Sequence, residues 1–260
     1  MSETPGVPRE HDHVTLFRQH YDEAADQVVE FLAGDGLTLD GKVVADVGCG
    51  DGVIDLGLVH RTDPIQLTGY DLRPTDVEAM NRAAVAAGVQ TSDGSPALSF
   101  MTSDVTAIPA PDATFDVVFS WSVFEHVDDP VALLTEVRRI LKPDGVFFLQ
   151  LWPFYYSEHG GHLWMNYEEP FPHLTHSDRE IEAHLKLRPA TDPTRPADDE
   201  YRSLNRLTLD GLQRALIASR LTVTKLELLT GPLHVPTAGL MQYSLSDLGI
   251  GGVKLLASPV

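Results

Sequence analysis

Lys42-Val43-Val44-Ala45-Asp46-Val47-Gly48-Cys49-Gly50-Asp51-Gly52 decides the reading of this 260-residue chain. Four apolar residues and one acid run into three glycines at alternate positions. An apolar run of this length, punctuated by glycines, predicts a buried parallel strand leaving its sheet through a tight turn into a helix. With no Cβ at positions 48, 50 and 52, a ligand can lie directly against backbone. The turn opens at the carboxyl end of the strand, where open α/β sheets bind their ligands.

Two ligand classes compete for such a turn. A dinucleotide fingerprint places its third glycine three positions after the second, and that position is Val53. Asp46, two residues before the first glycine, would repel a pyrophosphate but suits the ammonium of an amino-acid-bearing cofactor. Asp46-Val47-Gly48-Cys49-Gly50-Asp51-Gly52 resembles motif I of class I S-adenosylmethionine-dependent methyltransferases. The resemblance implies S-adenosyl-L-methionine as cofactor, with Asp46, Gly48, Gly50 and Gly52 at its methionine end.

Composition narrows the partners. A net charge of −19 argues against a nucleic-acid partner, because phosphate binding needs clustered Lys and Arg. One cysteine rules out an internal disulfide, and Cys49 in the turn reads as a small apolar filler rather than a nucleophile. The lack of a signal peptide, or of an apolar run of about 18 residues, predicts a cytoplasmic protein with no membrane partner.

Outward from the turn, apolar spacing over 14–32 predicts an amphipathic helix, with Phe17, Arg18 and Tyr21 as lid residues if it lies over the cofactor. Residues 1–13 read as a polar arm. Downstream, 53–60 reads as the first crossover helix, and Ile65–Asp71 as a second strand ending in an acid 25 residues beyond Asp46. Alanine-rich 75–88 predicts another helix closed by glycine, followed by a loop over 91–96. Leu98–Val105 reads as a third strand, Phe115–Ser120 as a fourth and Val146–Leu151 as a fifth, entered through a turn at 142–145. The resemblance extends over roughly residues 40–151. It implies that Asp71 takes the ribose hydroxyls, Leu72 lies beside the adenine, Asp104 and Val105 hold the adenine edge, and Ser120 completes the cofactor set.

Methyl transfer from a sulfonium is an in-line displacement, so the protein mainly aligns donor and acceptor and excludes water. A hydroxyl acceptor also needs a base. His126, just after the fourth strand, and His159 and His162, flanking Gly160-Gly161 just after the fifth, are the candidates. Some methyltransferases of this class, in the ubiquinone pathway and on small-RNA 2′-hydroxyls, resemble this chain at Glu125-His126 and use that pair with a further glutamate as Mg²⁺ ligands. That glutamate falls at 122, which is Ser here, so the reading assigns no metal; Glu158 or a loop histidine is the alternative third ligand.

Seven of the twenty aromatic residues fall within 152–171, which reads either as a satellite core or as a flat-walled acceptor pocket. On the pocket reading Tyr21, Trp121, Tyr155, Tyr156 and Trp164 touch substrate. Arg188–Asp199, with three prolines and three acids, reads as a solvated loop. A helix over 208–219 and strands over 221–229 and 252–257 complete the pattern.

The resulting expectation is a doubly wound, mostly parallel seven-stranded α/β sheet with helices on both faces and an insert after strand five. Its parts are an arm and lid helix (1–39), a cofactor core (40–151), a substrate-binding insert (152–205) and a completing segment (206–260). The expected activity is O-methylation of a small molecule or carbohydrate. An N- or C-methyltransferase, or a non-catalytic S-adenosylmethionine-binding protein, are the alternatives, and the oligomeric state is open.

Overall fold

The computed structural model describes residues 23–72, 82, 97–104, 106–187, 197–231, 240 and 242–260. The arm, Phe17, Arg18, Tyr21, the expected helix over 75–88 apart from Arg82, the loop over 91–96 and Val105 therefore lie outside the described residues. The chain divides into two compact units, Met1–Asp104 and Val105–Val260.

In the first unit, a helix over residues 23–33 (α1) buries Ala24, Ala25, Val28, Phe31 and Leu32, a stripe at helical spacing. Leu37 N–H closes back onto Leu32 O at 3.1 Å, and Gly36 supplies the left-handed turn with φ 71°. Strand β1 (Val43–Val47), helix α2 (Val53–Val59), β2 (Gln66–Asp71) and β3 (Leu98–Thr102) follow. β1 pairs parallel with β2 from Val43↔Gln66, and β2 pairs parallel with β3 from Leu67↔Leu98. Gly69 is forced by packing: a Cβ there would stand 2.6 Å from Phe100 and 2.8 Å from Cys49.

The second unit opens with β4 (Phe115–Trp121), a single 3₁₀ turn (Phe124–His126), α3 (Pro130–Ile140) and β5 (Leu141–Leu151). Asp129 caps α3 by accepting from Ala132 N–H at 3.0 Å, with Pro130 in the first turn where its missing donor costs nothing. The expected turn at 142–145 lies inside β5. Pairing with β4 jumps from Phe115↔Leu141 to Val117↔Val146, so those residues bulge out of the ladder.

The insert is more helical than its sequence suggests, with α4 (Pro172–Thr175), α5 (Asp178–Leu185) and α6 (Ala197–Ser203). Asp198 and Asp199, read as the end of a loop, belong to α6. Leu163, Ile181, Leu185 and Tyr201 bury one another there, a satellite core with Tyr167 and Leu204 against it. α7 (Leu209–Ala218), β6 (Leu221–Thr230), α8 (Leu245–Gly249) and β7 (Ile250–Pro259) close the chain.

Seven strands form one sheet in the order β3-β2-β1-β4-β5-β7-β6. β7 runs antiparallel to both β5 and β6, so an antiparallel hairpin finishes an otherwise parallel sheet. The order turns back at β1, the signature of a doubly wound sheet. Among the described residues no helix is long and apolar enough to cross a membrane.

Candidate functional site

The turn after β1 carries a backbone that only glycine adopts without strain. Gly48, Gly50 and Gly52 have φ of 92°, 54° and 74°. Gly48 and Cys49 N–H both donate to Tyr70 O, at 2.7 and 3.1 Å, which folds the turn over the end of β2. Gly50 N–H donates to Asp71 Oδ2 at 3.0 Å, so the acid ending the second strand is already tied to the glycine turn. Cys49 is buried, and burial pushes its thiol far up, so it is no nucleophile.

Among the described residues of this unit two acids lie buried. Asp46 is 1% exposed and Asp55 fully buried, and their carboxyls hydrogen-bond to each other. Burial first, then the neighbouring charges of Asp55 and Asp71, hold Asp46 well above the usual carboxylate range. Burial does the same to Asp55. These residues fit a cationic cofactor lying along the turn. A Cβ at Gly50 would project into open space, meeting nothing within 4 Å, so the turn leaves room for a ligand against its backbone. Leu72, 52% exposed, and exposed Asp104 stand beyond the tips of β2 and β3. The sequence reading missed Asp55; its signal was an acid between Ile54 and Leu58 on the buried face of α2.

In the second unit the segment after β4 is pinned. Ser122 turns the chain at φ 49°, its single hydroxyl proton shared between Gln150 Oε1 (2.9 Å) and Trp152 O (3.2 Å). The serine standing where a metal-binding glutamate was sought is thus a corner. Asn205 then holds the 3₁₀ turn, its Nδ2 donating to Phe124 O at 2.6 Å and Val127 O at 2.8 Å.

That turn delivers Glu125 and His126 to His162, whose ring meets the His126 ring edge-on at 5.3 Å between centroids. Glu125 is 3% exposed with Oε2 unpartnered, and burial pushes its pKa up to about 8. His126 Nδ1 lies 2.8 Å from Ser203 Oγ, and His162 Nδ1 lies 3.0 Å from Glu200 Oε1. The sequence reading singled out neither Ser203 nor Glu200, because α6 carried no visible periodicity.

His159 stands apart from this cluster, packed by Trp152 (5.7 Å) and Trp164 (6.0 Å). It lines a cavity of about 330 Å³ with Trp164, Tyr167, Glu158, Glu168 and His173, within the size range of small-molecule sites. Trp164 links the two, since its ring also packs 5.3 Å from His162. Gly160 and Gly161 permit this fold of the loop: a Cβ on Gly160 would collide with the Tyr155 carbonyl, and one on Gly161 would stand 2.7 Å from His173. Of the other expected substrate residues, Tyr155 is buried against Tyr156 and His173, and Trp121 is buried on Phe148. Ser120 is wholly buried in β4.

Residues 45–149 match a family model described as a methyltransferase domain. Over 110 residues the chain is 31% identical to the ubiquinone biosynthesis O-methyltransferase of Actinobacillus pleuropneumoniae, covering 42% of this chain and 45% of that protein. It is 29% identical over 124 residues to the 27-O-demethylrifamycin SV methyltransferase of Amycolatopsis mediterranei, covering 48% and 43%. The chain thus spans less than half the length of these relatives. A geranyl diphosphate methyltransferase solved with S-adenosylmethionine superposes with a TM-score of 0.63 at 17% identity, over 99% of this chain and 93% of that one. At that identity it shows the fold alone.

Proposed function

We propose, for a chain whose residues 45–149 are a class I S-adenosylmethionine-dependent methyltransferase domain, that the protein methylates a hydroxyl of a small molecule or carbohydrate. The cofactor's ammonium meets Asp46 and the glycine turn, its ribose meets Asp71, and its adenine lies by Leu72 and Asp104. Ser120 lies buried in β4. The acceptor occupies the cavity walled by Trp164 and Tyr167, where flat rings suit a sugar or phenol and the carboxylates of Glu158 and Glu168 suit its other hydroxyls. The net charge of −19 fits such a partner and not a polyphosphate chain.

The observation carrying the choice of a hydroxyl is the group formed by buried Glu125 with half-buried His126 and His162. An amine already has its lone pair, whereas a hydroxyl must lose a proton during transfer, and these imidazoles are the basic groups brought together. His159 lines the acceptor cavity together with His173, apart from His126 and His162. Mg²⁺ has no part in this reading, because it seeks oxygen ligands and two of these three are nitrogen donors.

The test is transfer from methyl-labelled S-adenosylmethionine to paired panels of phenols, sugars and amines, with product linkage assigned by NMR. His126→Ala and His162→Ala are expected to lower O-methylation by about 100-fold or more, the usual worth of a positioned base, with cofactor affinity unchanged. Methyl groups found only on nitrogen or carbon, at rates indifferent to both substitutions, would overturn the reading.

A further inference from the structure

The cavity of the insert, about 330 Å³, is chemically one-sided. Glu158, Glu168 and Glu169 line it beside Trp164, Tyr167 and His173. Among its described lining residues there is no lysine, arginine, asparagine, glutamine, serine or threonine. Glu169 is held by His176 at 2.8 Å, whereas Glu158 and Glu168 have no cationic partner among the described residues. Like charges crowded around one concavity focus a negative potential that draws in cations.

His173 is a second, independent observation. It is 5% exposed, and Phe171, a bulky residue turned to φ 56°, sets it on the cavity wall. One ring nitrogen donates to the Tyr155 backbone. Burial outweighs that bond and lowers the pKa to about 4, so at pH 7 the imidazole is neutral and its other nitrogen carries a lone pair. That nitrogen is buried with no hydrogen-bond partner among the described residues. An acceptor left so costs free energy that a ligand's N–H or O–H recovers.

We infer that the acceptor is a hydroxyl-bearing primary amine, bound as its ammonium against Glu158, Glu168 and His173 with its skeleton on Trp164. The carboxylates supply opposite charge, His173 accepts one ammonium hydrogen, and Trp164, 45% exposed, offers a ring face to the cation. Acceptors carrying a carboxylate or phosphate are refused on the same ground, because like charges meet at the glutamates. The arrangement also selects the atom that is methylated. An amine held protonated has no lone pair with which to attack, so the hydroxyl oxygen remains the nucleophile and its proton passes to the histidine base. This deepens the O-methylation reading and rests on it for the hydroxyl. The charge preference is measured without methyl transfer, so either can fail alone.

The test uses the full chain and two probe sets matched in skeleton: glucosamine, glucose and glucuronate, then tyramine, para-ethylphenol and para-hydroxyphenylacetate. Binding is read at pH 7 by ligand-observed NMR titration. In at least one set the ammonium member should bind about 10-fold or more tighter than its neutral partner, with the carboxylate member weakest and salt eroding the preference. Glu158→Gln and Glu168→Gln should each cut that preference by about 3-fold or more and leave the neutral member unchanged. His173→Phe, which keeps a ring and removes the acceptor, should weaken the ammonium member by about 5-fold or more. Glu227→Gln, on strand β6, is the control and should change nothing. The inference is overturned if the folded chain binds neither ammonium probe, or binds a neutral or anionic member of both sets as tightly. It is equally overturned by a preference unaltered in both glutamate variants, or by undiminished ammonium binding in folded His173→Phe.

Discussion

Asp71 is the residue on which the cofactor end turns, because its Oδ2 accepts from Gly50 N–H while the carboxylate remains half-buried at the tip of β2. Asp71→Ala is expected to weaken S-adenosylmethionine binding by about 1–3 kcal/mol, the scale of a hydrogen bond to a charged group; calorimetry showing unchanged affinity removes the assignment. His173 makes a separate prediction. Burial first, then the neighbouring His162 and His159 charges, lower its pKa to about 4. An unfolded chain takes up a proton near the ordinary value of about 6.5 that the folded chain refuses, so stability is lost as pH falls through that window. Denaturant titrations at pH 7 and pH 4.5 should show His173→Gln losing about 2 kcal/mol less than wild type; equal slopes would contradict it. Asp46, Asp71 and Gly48 were legible because acids at strand ends and alternate glycines have few other uses. Asp55, Glu200 and Ser203 were not, since each looks like an ordinary helix residue until the fold aims it inward.

At the scale of elements, the loop after β5 and the 3₁₀ turn after β4 meet only because neighbouring backbone yields to them. A Cβ on Gly160 meets backbone of Tyr155, not the end of a flexible side chain, so the loop itself must move. Gly160→Ala is expected to destabilise the protein by about 1–3 kcal/mol or more through overpacking, read as a lowered unfolding midpoint. Asn205→Ala strips the donors from Phe124 O and Val127 O and should cost a similar amount, about 1–3 kcal/mol. A midpoint unchanged by both substitutions contradicts this picture of the insert. The parallel strands were legible from apolar runs closed by acids or glycines. The insert's helices were harder, being short and held by the satellite core of Ile181, Leu185 and Tyr201 rather than by their own propensity. One signal was present there: Ser177 and Glu180 form a reciprocal capping box before Ile181.

For the whole molecule, the excess of 38 acidic over 19 basic residues argues against a nucleic-acid partner. Electrophoretic mobility shifts with duplex DNA or structured RNA at low salt should show no complex, because nothing offsets phosphate repulsion. The fold class was readable because five strand-and-helix units in order leave few topologies. The acceptor was not, because fold does not fix chemistry and the cavity is assembled from the irregular insert. The central claim is that the glycine turn, Asp46 and Asp71 form a seat for a sulfonium nucleoside. Calorimetric titration of the folded chain with S-adenosylmethionine and with its demethylated product tests it most directly. One molecule of each should bind per chain, with affinity reduced by Asp71→Ala; a well-folded protein that gives no heat with either would contradict the account.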